Sequence, residues 1–160
     1  MNNTTQNSER PVKLITSNKR ALHDFFVIQS IEAGIVLKGT EIKSIRQGKC
    51  SIQDAYAAFP NKDNNELYLY NMHIPEYAYG NYANHKPKRP RKLLVKAREA
   101  RKLRTAVNEK GITLIPLSVY FSGPYLKVEL GLVKAKKKYD KREEIKTKDV
   151  QKEIKRKYGV

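Results

Sequence analysis

The chain has 160 residues and a formal net charge of +17, from 33 Lys and Arg against 16 Asp and Glu. That length suits one domain with a modest core, and that charge favours a polyanionic partner, nucleic acid first and an anionic membrane surface second. No apolar run approaches the roughly 20 residues needed to span a bilayer, so no membrane-spanning segment is expected and nucleic acid, with no membrane, is taken as the partner; Cys50, the sole cysteine, excludes an intramolecular disulfide and fits a reducing, cytoplasmic setting.

Residues 1–17 hold no signal-peptide core and read as a polar N-terminal arm. Thr16, Ser17 and Asn18 offer caps for a short helix through Leu22, with Lys19, Arg20 and His23 crowding one side of it. Phe25, Val27 and Ile31 fall near strand periodicity. The turn signal Ala33-Gly34, followed by Ile35, Val36 and Leu37, predicts a first hairpin. Glu41 to Gln47 then reads as a helix, with Ile42 and Ile45 on one face. Lys43 and Arg46 make a second face that meets either solvent or phosphate. Gly48 is placed to end that helix in a left-handed turn.

Residues 51–59 resume with strand-like apolar residues, and 56–59 and 67–72 read as two strands that flank the polar turn 60–65. Residues 75–90 interleave Tyr77, Tyr79 and Tyr82 with His85, Lys86, Lys88 and Arg89. This loop suits either base stacking with phosphate contacts or an ordinary surface loop with tyrosines tucked against the core. A brief strand is expected at 92–95. The best helix spans 96–110, with Ala97, Ala100, Leu103 and Val107 as its apolar stripe and Gly111 as its stop. Residues 112–121 and 125–133 form a hairpin around Ser122-Gly123-Pro124, and Pro116 calls for an edge position or a bulge. Six or seven strands with two or three short flanking helices predict a mainly β fold, a small antiparallel β-barrel.

Residues 134–160 are a different regime, twelve Lys and Arg against five Asp and Glu, a net +7 in 27 residues. Ile145, Val150, Ile154 and Tyr158 supply only a thin helical stripe. Such a segment does not recover its ordering entropy alone in water, so it is expected to be disordered when free. It reads either as a solvated basic tail or as a helix formed where phosphates neutralise its charge. No Gly-rich phosphate loop, nucleophile elbow or helix-borne metal pair is present. His23, His73 and His85 lie far apart, so no metal, cofactor or catalytic group is expected.

The chain resembles the small protein B (SmpB) family, the partners of transfer-messenger RNA in bacteria. The matching blocks are NKRALHDFF (18–26), EAG (32–34), GTEIKSIRQGKCSIQDAY (39–56), RPRKLLV (89–95), NEKG (108–111) and KKKYDKRE (136–143), in the family's order. The resemblance covers about residues 18–150 and implies an OB-like barrel over 18–133, with 134–160 as the tail. It implies a non-enzymatic adaptor in trans-translation, whose barrel binds the tRNA-like domain of transfer-messenger RNA. Its tail enters the empty mRNA channel of a stalled ribosome, becomes helical there and reaches the decoding centre. Elongation factor Tu would be an indirect partner through the RNA, and the protein a monomer.

The positions matched to RNA binding are Asn18, Lys19, Arg20, His23, Glu32, Lys43, Arg46, Leu94 and Lys127. The basic residues would hold phosphates. Glu32 would accept from a base edge or 2′-OH, or else orient a nearby Lys or Arg. His23 would stack, hydrogen-bond or pack its helix, and Leu94 is expected beneath the surface. In the tail, Lys136, Lys137, Lys138, Asp140, Lys141 and Arg142 are matched to ribosome binding. Tyr139 stands where many members have histidine, keeping a stacking face but losing the titratable ring. A basic ribosomal or ribosome-assembly protein fits the composition equally well, and a basic nuclease less so.

Overall fold

The computed structural model describes residues 11–80 and 83–136. In chain order the elements are β1 (Val12–Ser17), α1 (Ala21–Asp24), β2 (Phe25–Ile35), α2 (Gly39–Arg46), β3 (Tyr56–Ala58), β4 (Leu67–Tyr70), β5 (Arg91–Leu94), α3 (Ala97–Val107), β6 (Ile112–Ser122) and β7 (Tyr125–Ala135). All pairings are antiparallel. The order β1-β6-β3-β4-β5-β2-β7, with β7 also paired to β6, closes six strands into a ring. This agrees with the mainly β, closed-sheet expectation.

Inside the ring sit Ile28, Leu67, Leu69, Leu93, Leu114, Val128 and Leu130, with Ile45 of α2 and Leu103 of α3 packed onto them. A smaller cluster of Ala21, Ile115 and Val133, flanked by Phe25, Val27 and Leu117, lies under α1. Both clusters draw on β6, which explains its near-continuous apolar run. The register shift between Pro116 and Ser118 is the bulge that proline called for, and it occurs in a strand paired on both sides.

Three local expectations are corrected. No hairpin forms at Ala33-Gly34, because β2 runs straight through it. Gly34 pairs with Leu94 of β5, and a Cβ there would lie 3.3 Å from that of Leu94, so the glycine marks a close approach and not a turn. The polar arm stops short of residue 17, because β1 pairs along β6 from Val12↔Ser122 to Ser17↔Ser118. Val12 and Leu14 stay exposed there, so edge hydrogen bonding holds β1 more than burial does. Helix α1 has only four residues, is N-capped at Arg20, and uses no side-chain cap. The strand expected from residue 56 begins there, with β3 starting at Tyr56, while Ser51 makes an isolated bridge to His73. Tyr82 and the tail positions Lys137, Lys138, Tyr139, Asp140, Lys141 and Arg142 lie outside the described residues.

Candidate nucleic-acid interface

Helix α2 begins two residues earlier than its apolar spacing indicates and ends where Gly48, at φ 78°, turns left-handed. Ile45 is fully buried, which leaves Lys43 and Arg46 exposed on the opposite side. Four side-chain contacts fasten this helix to the distant segment 73–91. Ser44 Oγ donates to the Pro75 carbonyl (2.8 Å) and Thr40 Oγ1 lies 2.9 Å from His85 Nδ1. Glu41, wholly buried, accepts from Arg89 Nη2 (2.5 Å) and from Arg91 Nε. Its Oε1 also accepts the Lys38 amide (2.8 Å). His85 Nε2 faces the Ile74 carbonyl at 2.8 Å. A carbonyl only accepts, so Nε2 carries a proton, and Nδ1 faces the Thr40 hydroxyl, which can donate or accept.

Burial pushes the Glu41 carboxyl up, but hydrogen bonds from Arg89, the Lys38 amide and Arg91 together hold it below its ordinary value. Burial pulls Arg91 down, with Glu41 opposing. Both values move down, which favours the charged form of Glu41 and opposes that of Arg91, because Glu41 has several donors to itself whereas Arg91 shares its one anion with Arg89. Arg91 completes its own set with the Met72 (2.6 Å) and Pro87 (3.0 Å) carbonyls. Burial raises the Cys50 thiol to about 11, with Arg91 opposing, so this cysteine is no nucleophile at neutral pH.

Arg46 projects into a groove that also involves Gly34, Leu37, Leu94, Tyr125 and Lys127. Leu94, expected beneath the surface, is 53% exposed. Alternation in β5 puts Arg91 and Leu93 inward and Lys92 and Leu94 outward. Beside the groove Lys127 Nζ lies 4.0 Å from Glu32 Oε1, and Tyr120 Oη donates to Glu32 Oε2 at 2.5 Å. Burial first, and then this bond to Glu32, raises the Tyr120 phenol well above its ordinary value. Glu32 therefore lies between a lysine and a tyrosine, an arrangement compatible with the second of its two expected roles.

The remaining matched residues sit elsewhere. Phe25 pairs with Ala135 at one end of β2 while Gly34 pairs with Lys127 at the other. Seven residues of strand separate Phe25 from Glu32, about 23 Å at roughly 3.3 Å per residue. Lys19, Arg20 and His23 are exposed at the α1 end. His23 Nδ1 pairs with Asp24 Oδ1 at 3.0 Å, and Lys136 Nζ donates to the Leu22 carbonyl at 2.8 Å. Asn18 is buried at the corner before α1, its amide donating to the Pro116 carbonyl (3.4 Å). The site residues thus divide between a groove end (Glu32, Arg46, Lys127), with Lys43 on the same helix face as Arg46 but set against Tyr77, and an α1 end (Asn18, Lys19, Arg20, His23). Lys136 joins the α1 end, from which the chain continues into the basic tail.

Three groups at the site escaped sequence reasoning. Tyr120 gave no local signal, since its partner Glu32 is 88 residues away. Arg89 reads as a loop cation, and Arg91 falls between that loop and the strand expected at 92–95. The inward alternation of Arg91 with Leu93 was the available clue that Arg91 is buried. Among the described residues no group of His, Cys, Asp and Glu is placed to hold a metal ion, and no helix is long and apolar enough to cross a membrane.

A family model described as SmpB protein matches residues 15–159. An SsrA-binding protein of Carboxydothermus hydrogenoformans is 53% identical over 142 residues, 89% of this chain and 93% of that protein. An SsrA-binding protein of Moorella thermoacetica is 53% identical over 148 residues, 92% of this chain and 94% of its own length. A solved chain described as "tmRNA-SmpB: a journey to the center of the bacterial ribosome" is 43% identical, with a TM-score of 0.64 over 82% of this chain and 94% of that chain.

Proposed function

The chain belongs to the SmpB protein family, and on that premise we propose that it is an RNA-binding adaptor of trans-translation, not an enzyme. In this reading the ring binds the tRNA-like domain of transfer-messenger RNA and brings it to stalled ribosomes. The relatives' name, SsrA-binding protein, and the ribosomal setting of the solved neighbour support it. The observation that carries it is the groove where Arg46 and Lys127 flank exposed Leu94, with the nearby Glu32 carboxylate already occupied. Two cations around a partly apolar trough hold phosphates while the trough takes a ribose or base face, the surface that a folded RNA elbow fits.

Lys19, Arg20 and His23, with Asn18 fixing their corner, form a second contact region at the α1 end. From there the segment after Lys136 enters the vacant mRNA channel and becomes helical as phosphates neutralise its lysines. Lys137, Lys138, Lys141 and Arg142 hold ribosomal phosphates, and Tyr139 stacks where other members place a histidine. Elongation factor Tu joins through the RNA, and the protein works as a cytoplasmic monomer.

Because β7 runs to Ala135, the informative truncation ends at Lys136. The shortened protein is expected to bind transfer-messenger RNA within a few-fold of the full chain and to support no tagging of stalled ribosomes in a reconstituted assay. Equal loss of both activities refutes the division of labour.

A further inference from the structure

Three tyrosines occupy the segment 75–90, and the two that are described have different surroundings. Tyr77 is half-buried, with Lys43 Nζ 5.5 Å from its ring centre and Tyr79 set against it edge-on (centroids 5.6 Å apart, planes at 66°). Tyr79 is 78% exposed, the most exposed of the large hydrophobic side chains among the described residues. An aromatic ring left in water on a loose loop would have an unremarkable explanation. This loop segment is fastened closely on both sides of that ring.

The Asn84 side chain accepts from the Tyr77 amide (3.0 Å) and donates to the Tyr77 carbonyl (2.7 Å). The Gly80 amide donates to that same carbonyl (2.9 Å). A Cβ at Gly80 would lie 2.8 Å from Asn84 Nδ2 and 3.1 Å from Thr40 Cγ2, so only glycine lets the segment pack this tightly. His85 and Thr40 then join it to α2.

Resting on the RNA-binding reading above, we infer that Tyr79 is a preformed stacking platform for an unpaired base of the bound RNA, with Lys43 holding the phosphate beside it. Stacking suits this position because every base has a π-face and the ring needs no ordering on binding. The charge around it agrees: Lys43, Arg46, Lys86 and Lys88 are exposed on α2 and on this loop, against Glu76. Tyr77 acts as support. Its ring is already engaged by Lys43 and Tyr79, so it positions both without meeting the base.

The test is binding of the full-length protein to its transfer-messenger RNA across a salt series, with Tyr79→Ala, Tyr79→Phe and Lys43→Ala. Tyr79→Ala is expected to weaken binding about tenfold or more with an unchanged salt slope and melting temperature. Tyr79→Phe, which keeps the ring, should stay within about twofold. Lys43→Ala should reduce the log–log salt slope by about one. The inference is overturned if the wild type binds tightly and Tyr79→Ala binds equally well, or if Tyr79→Phe falls as far as Tyr79→Ala. Loss of affinity together with a lowered melting temperature would make Tyr79 a structural residue and also overturn it. A wild type that fails to bind this RNA sinks the underlying RNA reading, an outcome distinct from any of these.

Discussion

Two carboxylates, Glu32 and Glu41, each meet basic side chains, and the two meetings serve opposite ends. Glu41 is fully buried between Arg89 and Arg91, whereas the Glu32 side chain is 54% exposed beside Lys127 and Tyr120. The chemistry is nearly the same, and burial decides the role. In the buried cluster Arg91 is committed to Glu41 and to the Met72 and Pro87 carbonyls, so it has nothing left for a ligand. In the exposed cluster the carboxylate only trims and aims a cationic surface that a polyanion can still reach. Counting cations therefore overstates the interface: Arg91 contributes to the formal +17 but is 0% exposed.

The sharpest way to break this contrast is at Glu41. Glu41→Ala leaves Arg91 buried without its anion, and unfolding in urea should show a loss of about 3–5 kcal/mol. Glu41→Leu with Arg91→Met, which removes both charges, should recover much of that loss. The pH dependence follows the same cluster. The folded pKa of Glu41 is depressed, so its stabilising contribution is complete above the ordinary carboxylate value of 4.5 and is lost as pH falls below that, through the folded pKa. Glu41→Gln should flatten the acid limb of the stability profile. An unchanged acid limb would mean that the cluster does not carry this linkage.

This contrast also marks where sequence reading succeeds. Helix α2 was legible because its signals are local: Ile42 and Ile45 three apart, Lys43 and Arg46 three apart, and a glycine just beyond. The closed sheet was legible from hairpin turns and strand counts. Glycine at position 34 was misread because a turn and a close backbone approach call for the same residue, and only the position of β5 distinguishes them. The Glu41–Arg91 pair spans 50 residues of sequence, and nothing near either residue announces the other. The matched cations all reach the surface, but their division between two ends of β2 depends on strand register, which composition does not contain.

On the exposed side, Arg46→Ala and Lys127→Ala should leave stability almost unchanged, since exposed charges contribute at most about 1 kcal/mol. Each should weaken transfer-messenger RNA binding, roughly tenfold for a lost charged hydrogen bond, and reduce the salt slope by about one. Filter binding at several salt concentrations measures both quantities. Tight binding with an unaltered slope in the double variant would move the interface away from this groove, towards the α1 end.

Glu32 gives the smallest effect and the finest discrimination. If its carboxylate merely repelled phosphate, Glu32→Ala would raise RNA affinity by removing a negative charge from the surface. The geometry argues the other way. The carboxylate accepts the Tyr120 hydroxyl and draws Lys127 towards the same point, and both partners stand on the outer face of the β6–β7 hairpin. Removing it frees the lysine to sample more rotamers and leaves the phenol without its acceptor, so the cation must be ordered again when RNA binds. The expected outcome is about a threefold loss of affinity, with stability unchanged to within about 1 kcal/mol. Glu32→Gln should fall between, because an amide oxygen still accepts from Tyr120 but no longer attracts Lys127. A gain in affinity in either variant would assign Glu32 to electrostatic repulsion alone.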